Sequence, residues 1–595
     1  MLKSFRRIFG ITRMYRFRLV SSQLLLLISV LATVGFATLT QGMVNLGMVE
    51  GNPEAVLDLG FWMLVLAVVA GITMAIAAGL AVFFSQGAAY YIRSRLYQKI
   101  QSFSFGNFDR HPTGQMMVRL NADVLNVQNG MLYALLLGLY APFMILATLA
   151  LTAINTPELL WVLLVVIAVM AVLMLLLVPS VFRNFHARQA RLDGLNNTLQ
   201  ENVTGIQVVK AFTREDYEVE RFEQRADAMR KPAYEAAWRV AYLNPLLVGV
   251  GQMAIVFGIG VGGSQVLTNA GLDVGQVTAF TQYLSLTIAP LALLAIVIPM
   301  LLRADTSAER ILKVYDDEPQ VQDKEGALAT DLDQVEGRIV FENVSFAFRR
   351  PDGSLDPPAL KNINLTIEPG QQVGFLGATG AGKSALVNLI PRFYDVTEGR
   401  ITIDGVDVRD IPQDNLQQIV GIALQEAVLF KGDLRFNLKF AQPEIEDGVM
   451  FGAAKAADSW GFINGLPQKW EAPVARRGYN FSGGQRQRLS INRALTQQPR
   501  ILILDDSTSA LDASTEGRVQ SAIPEFTHGI TTLYVAQRIS AVIELDNIVL
   551  LQNGEIVAMG NHEHLLKSSP LYQEIYESQL GGGITAGLEL EEVAT

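Results

Sequence analysis

Gly377-Ala378-Thr379-Gly380-Ala381-Gly382-Lys383-Ser384 decides how the second half of this chain is read. The eight residues match the P-loop pattern, with the apolar run Val373 to Leu376 ahead as a strand and Ala385 to Ile390 behind as a helix. Glycines are needed because the loop turns its backbone N–H groups inward around phosphate oxygens. Lys383 then neutralises β- and γ-phosphates, and the Ser384 hydroxyl ligates Mg²⁺ at a helix N-terminus. Gly377, Thr379, Gly380, Gly382, Lys383, Ser384 and Ala385 are thus the expected ATP-binding set.

Working outward, Ile501-Leu502-Ile503-Leu504 precedes Asp505-Asp506, the pattern of a buried parallel strand that delivers a carboxylate to a Mg²⁺ shell. Between the two motifs, Phe481-Ser482-Gly483-Gly484-Gln485-Arg486-Gln487-Arg488 sets a glycine pair at the opening of a helix. Such a pair serves as a plain helix start or as an anion-binding N-terminus. Short β-rich runs begin at Arg338 (RIVFENVSFAF, INLTI, QVGFLG), so residues 338–580 read as an α/β domain. Residues 304–337 read as a charged helix followed by a linker, and the Gly-rich, acidic tail 581–595 is expected to be disordered.

The first half is of another kind. Of 595 residues half are hydrophobic and 17% charged, and the mean hydropathy of +0.28 excludes a single soluble domain. No Asp, Glu, Lys or Arg occurs in Leu19 to Val49, Leu59 to Ile92, Val124 to Pro157, Leu159 to Phe182, Val240 to Leu272 or Val274 to Leu302. Each exceeds the ~20 residues that cross a bilayer as helix. Residues 21–303 therefore read as a six-span membrane domain, after a basic interfacial segment, 1–20, that carries Lys3, Arg6, Arg7, Arg13, Arg16 and Arg18.

Connections after the first, third and fifth spans hold only acidic charges, while those after the second and fourth hold Arg93, Arg95, Lys99, Arg110, Arg119, Arg183, Arg188, Arg191 and Lys210. The basic side faces the cytoplasm, as do the N-terminus and everything after Arg303. Apolar residues at helical spacing between Arg183 and Arg239 extend the membrane helices into the cytoplasm. Spans without an ionisable group argue against a proton relay or voltage sensor. Gly249, Gly251, Gly258, Gly260, Gly262 and Gly263 crowd the fifth span, for close packing or for a hinge. Gln23, Gln41, Asn45, Asn126, Gln252, Gln282 and Tyr283 line a cavity, sit near the membrane surfaces or pack between helices. Absence of cysteine removes disulfides, thiolate metal sites and thiol nucleophiles, and 57 acidic against 47 basic residues disfavours nucleic acid as a partner.

The order P-loop, Gln425 in IALQEAVLF, SGGQ, the Asp505 strand and Ser509-Ala510-Leu511-Asp512 resembles the ATPase domain of ABC transporters, and six spans ahead of it resemble an ABC exporter half. The resemblance extends to Phe105 to Val124 and Glu201 to Phe212, which are similar to the cytoplasmic loops carrying coupling helices. It implies a type IV exporter fold, ATP and Mg²⁺ as ligands, and a location in a bacterial inner or plasma membrane. Phe348, where the family usually has Tyr, would stack on adenine, Gln425 would join Asp505 and Ser384 around Mg²⁺, and Asp512 would contact an opposite subunit. Two ATPase domains close head to tail in this family, so Ser482, Gly483, Gly484 and Gln485 would serve the partner's nucleotide.

Two positions depart from the family. Asp506 stands where the general base is Glu, which withdraws the carboxylate by about 1.5 Å. A base must come within ~2.6 to 3.2 Å of the proton it takes or act through a water. Gln537 stands at the switch histidine, and an amide can donate a hydrogen bond but cannot become cationic. Arg476 also replaces a Glu of many homodimeric exporters. The pattern resembles the degenerate-site chain of heterodimeric, multidrug-type exporters. The expectation is one exporter subunit paired with a non-identical half, moving an amphipathic or apolar compound outward and hydrolysing ATP mainly at the partner's site. A slow homodimeric exporter and an ATP-gated scaffold or channel half are the alternatives. Drugs, lipids and hydrophobic peptides suit an uncharged membrane domain equally.

Overall fold

The computed structural model describes residues 2–12, 16–268, 271–327, 331–350 and 352–580; the tail 581–595, Arg13 and the side chains at 177–191 lie outside them. The chain divides into two compact units, Met1–Gln101 with Gly114–Asp317, and Ser102–Thr113 with Glu318–Thr595.

Among the described residues the first unit holds six helices long and apolar enough to cross a membrane, Arg16–Val49, Pro53–Gln101, Thr113–Asn155, Pro157–Leu176, Pro245–Leu267 and Val274–Tyr315. Several outlast the charge-free stretches. Pro53–Gln101, with 49 residues, is roughly 74 Å long at 1.5 Å per residue, against about 30 Å of hydrocarbon. Helix continues through Leu160–Thr204, breaks around the short Ile206–Ala211, and resumes as Glu215–Leu267. The last helix does not stop at Arg303, because Ala304, Ala308 and Ile311 keep a buried stripe at helical spacing as far as Tyr315. At the other end, Arg16 and Arg18 already belong to the first spanning helix, and the separate N-terminal helix is Lys3–Ile11. That helix buries Phe5 and Ile8, donates the Phe5 N–H to Asp305 at 2.8 Å, and pairs Arg7 with both carboxylate oxygens of Asp316.

Polar groups within the spans meet one another, as they must where no water reaches the backbone. The Tyr283 hydroxyl lies 2.8 Å from Thr38 and accepts from Asn155 at 3.1 Å, Asn126 donates to Ser307, and Asn45 accepts from the Gly275 N–H. Gln282 instead lines a cavity of about 400 Å³ with Thr33, Phe36 and Ser285. The glycines of the fifth span divide similarly. A Cβ at Gly251, Gly258 or Gly262 would stand 2.6 to 3.0 Å from sixth-span side chains, so these three permit close packing, while Gly249, Gly260 and Gly263 face open space.

One ion pair in this unit is buried on its acidic side. Asp123 is 1% exposed and accepts from Arg310, whose guanidinium also reaches Ser307 at 3.1 Å. Arg310→Ala would leave a buried carboxylate without its hydrogen-bonded partner, with only the charge of Arg119 acting on it. We expect it to cost about 3 kcal/mol. Thermal unfolding of the detergent-solubilised protein should show a clearly lowered midpoint, and Arg310→Lys a smaller drop.

The second unit is built on two sheets. Apolar runs such as Ile501–Asp505 and Thr531–Val535 are buried at every position, the signature of strands covered on both faces. They form a six-stranded sheet in the order Glu555–Gly560, Asn547–Gln552, Gln372–Leu376, Thr531–Val535, Ile501–Asp505, Val420–Ala423, parallel except for the first, edge strand. An antiparallel sheet carries Leu360–Ile367, Ile339–Phe346, Glu398–Ile403 and Val406–Asp407. A helical subdomain has its own apolar cluster around Leu434, Met450, Ile463 and Leu489. Ser102–Thr113 belongs to this unit: Phe105 stacks on Phe393 at 4.1 Å, and the Tyr394 hydroxyl donates to Asp109 at 3.0 Å. Burial and the Asp109 carboxylate both push the Tyr394 phenol up.

Candidate ATP site

Three neighbouring parallel strands end side by side and set the chemistry at their C-terminal edge. Strand Gln372–Leu376 runs into the P-loop, Ile501–Asp505 delivers Asp505 and Asp506, and Thr531–Val535 delivers Gln537. In the loop, Gly380 has φ +83° and nothing within 4 Å of where a Cβ would stand, leaving an open cradle. Gly382 has φ +102°, and a Cβ there would stand 2.7 Å from the Ala359 carbonyl.

Lys383 is buried, and its Nζ donates to the carbonyls of Gly377 at 2.7 Å and Ala378 at 3.0 Å, lying across the loop. Burial pulls its pKa down, while the charges of Asp506 and Asp505 oppose that. The Ser384 hydroxyl, one residue on, donates to Asp505 Oδ1 at 2.9 Å. Burial raises the Asp505 pKa; the Ser384 bond works against the rise and the like charge of Asp506 adds to it.

Asp506 takes a left-handed backbone, φ +47°. One of its oxygens, Oδ2, accepts from Gln425 Nε2 at 3.3 Å and from Gln537 Nε2 at 3.1 Å. Burial raises its pKa, with Lys383 and the two amides opposing. Lys383, Ser384, Asp505, Asp506, Gln425 and Gln537 are thus brought together from four separate stretches of sequence. Ser384 and Asp505 are hard oxygen donors side by side, which fits Mg²⁺, an ion that takes few protein oxygens and fills its shell with phosphate and water. The open loop and the buried ammonium fit a polyphosphate equally.

Other expected residues stand elsewhere. Phe348 is half-buried with its ring edge-on to Phe346 and Tyr394, and no ring contact or hydrogen bond among the described residues joins it to the cluster. Ser482 caps the helix Gly483–Thr496 reciprocally with Gln485: the Gln485 N–H donates to the Ser482 hydroxyl at 3.2 Å, and the Ser482 N–H to Gln485 Oε1 at 2.9 Å. Gly483 is exposed, with the nearest atom to an added Cβ 3.7 Å away. Asp512 caps the helix Ala513–Thr527, accepting from Thr515 through both oxygens, and those bonds hold its carboxyl below the usual range. Arg476 is exposed.

Reading the motifs in isolation misses the groups that join them. Buried Gln487 on the helix Gly483–Thr496 donates to the Ser509 hydroxyl at 3.2 Å and accepts from the Ala510 N–H at 2.9 Å. Ser509 in turn donates to the Asp506 carbonyl at 2.8 Å. A Gln two residues beyond SGGQ is the only sequence cue to this link.

Residues 19–291 match the family model of the ABC transporter transmembrane region, and residues 360–509 the family model described as ABC transporter. The chain is 36% identical over 520 residues to the uncharacterized ABC transporter ATP-binding protein YfiB of Bacillus subtilis (strain 168), covering 86% of this chain and 89% of that one. It is 32% identical over 579 residues to the ATP-dependent lipid A-core flippase of Syntrophus aciditrophicus (strain SB), covering 97% and 94% respectively. The solved structure of a bacterial Atm1-family ABC exporter with ATP bound superposes with a TM-score of 0.79 at 23% identity, over 95% of this chain and 98% of that chain. The six spans, the parallel sheet with its P-loop, and these matches along nearly the whole length make the chain a member of the ABC transporter family, a multi-pass membrane protein with the fold of an ABC exporter half and a cytoplasmic ATPase domain.

Proposed function

We propose that this chain is the degenerate-site subunit of a heterodimeric exporter: it binds MgATP at its own P-loop, hydrolyses it slowly, and completes the fast site of an unlike partner with Ser482, Gly483, Gly484 and Gln485. The observation that carries the reading is the state of Asp506, whose shortened carboxylate has one oxygen engaged by the amides of both Gln425 and Gln537. A carboxylate held this way reaches about 1.5 Å less far than a Glu and has one of its two oxygens committed to two donors.

In this reading Lys383 holds the β- and γ-phosphates, Gly377, Thr379, Gly380, Gly382 and Ala385 cradle them by backbone N–H groups, and Phe348 offers an aromatic face to adenine. Ser384, Asp505 and Gln425 hold Mg²⁺, which when bound neutralises charge between the two terminal phosphates. Gln537 donates to the γ-phosphate without exchanging a proton. Asp512 faces the opposite subunit. Support for a second subunit comes from the short helix Ile206–Ala211 and its flank, where Ile206, Val208 and Phe212 are exposed apolar residues. The transported compound is amphipathic or apolar, in keeping with spans free of ionisable side chains and with the lipid named for the Syntrophus relative.

The test is composition. When this chain is tagged and purified from its native membrane in mild detergent, intact-mass spectrometry should find a second, different ABC half in equal amount. A transport-active complex containing this chain alone would overturn the unlike pairing and leave the exporter fold standing.

A further inference from the structure

The C-terminal helix Pro570–Leu580 ends beside the segment that carries Gln537. Gln579 Oε1 accepts from the Ile539 N–H at 2.8 Å, and Gln579 Nε2 donates to the Gln537 carbonyl at 3.1 Å. One primary amide therefore spans the two backbone groups that flank Arg538, much as a neighbouring strand would. The side chain of that same Gln537 reaches Asp506 at 3.1 Å.

The helix bearing Gln579 is firmly seated. Tyr572 is fully buried with its hydroxyl 2.8 Å from His562 Nδ1, Leu571, Ile575 and Tyr576 pack on the sheet's apolar cluster, and Gln573 donates to the Leu566 carbonyl at 2.6 Å. A cavity of about 360 Å³ separates this helix from the P-loop, bounded by Gly377, Thr379, Gln537, Glu574 and Ser578. The cavity opens on the Gln537 side, while Ile539 is buried in the cluster that Leu571, Ile575 and Tyr576 pack on, so the Gln579 amide adds a directional hold on 537–539 to an apolar contact.

The geometry points to Gln579 as a positioning residue of the ATP site: it clamps the backbone of Gln537 to Ile539 and thereby keeps the Gln537 amide over Asp506 and the P-loop. The C-terminal helix becomes part of the nucleotide site without touching nucleotide. The inference rests on the assignment of Gln537 to the ATP site and is independent of whether the partner chain is unlike.

The test measures nucleotide release from this chain within the purified complex. Mg-8-azido-ATP is bound, chased with excess MgATP, and the remaining label on this chain is fixed by light at successive times. Gln579→Ala should speed release about three- to tenfold, the size expected from two hydrogen bonds at a site water can enter. In a Gln537→Ala background the same substitution should change release by less than about twofold, because the residue it acts through is gone. Unchanged release in the single variant, or equal acceleration in both backgrounds, overturns the proposal. Hydrogen exchange gives a second readout that needs no variant to fold. The Ile539 amide should be protected in the parent complex, and rapid exchange there would overturn the clamp. A parent chain that takes up no label overturns the ATP-site assignment itself, whatever the partner.

Discussion

Gly483→Asp should nearly abolish ATP turnover and transport, while Asp506→Asn should leave most of both. The first substitution is sterically mild for this chain: Gly483 is exposed at the start of its helix, and the nearest atom to a new Cβ is 3.7 Å away. The complex should therefore assemble normally. What changes is charge, because a carboxylate would stand at a helix N-terminus that, on the proposed reading, receives the partner's γ-phosphate. Loss of one preorganised donor at such a position costs about 10²- to 10³-fold in rate, and an opposing carboxylate should reach at least that. On the asymmetric reading proposed above, Asp506 belongs to the slow site, so replacing its carboxylate should remove little of the total flux. Steady-state phosphate release by the two variant complexes beside the parent decides the matter. Equal losses, or a larger loss from Asp506→Asn, would make Asp506 a working base and end the asymmetric reading.

The second large effect runs in the opposite direction. Asp506→Glu combined with Gln537→His should turn the slow site into a hydrolysing one. The added methylene carries the carboxylate about 1.5 Å further from the backbone, and histidine restores a switch able to become cationic. A positioned general base contributes about 10²- to 10⁴-fold, so single-turnover hydrolysis at this chain's P-loop should rise by about two orders of magnitude. The measurement is the decay of prebound radiolabelled ATP on a complex whose fast site is blocked by Gly483→Asp on this chain, which isolates this site. Asp506→Glu alone should give part of the gain, since the Gln425 and Gln537 amides that now share one Asp506 oxygen would have to re-form on a longer side chain. A doubly substituted complex that hydrolyses no faster than the parent would place the cause of slowness outside these two residues.

Both experiments act on residues visible in the linear sequence, and the reason is local physics. The P-loop announces itself because eight consecutive residues must supply turning glycines, an ammonium and a hydroxyl, with a buried strand before them. Ile501 to Leu504 could be read as a doubly covered strand for the same reason, and all five residues of Ile501–Asp505 are buried. The six spans are visible because a bilayer forbids charge over ~20 residues at a time. Where such constraints relax, the reading loses its edges. Arg16 and Arg18, read as interfacial, lie on the helix that becomes the first span, and the charged helix read after Arg303 is continuous with the last span as far as Tyr315. Charge marks where the bilayer ends, and a helix has no need to end there.

Sequence alone therefore determined the membrane half, the α/β half and the phosphate-loop pattern, since each is written in neighbouring residues or in a strict period, while Asp506 and Gln537 stood out only through the family resemblance. Tertiary structure alone decided the rest. It assigned Ser102–Thr113 to the ATPase unit, where Phe105 stacks on Phe393. It joined buried Asp123 to Arg310, 187 residues away, and placed Gln425 and Gln537 on one oxygen of Asp506. It also set Gln579 across the backbone of Gln537 and Ile539. Contacts of this kind are made by single side chains meeting across long separations. A lone polar residue carries no periodicity, so only the folded chain shows which group it meets.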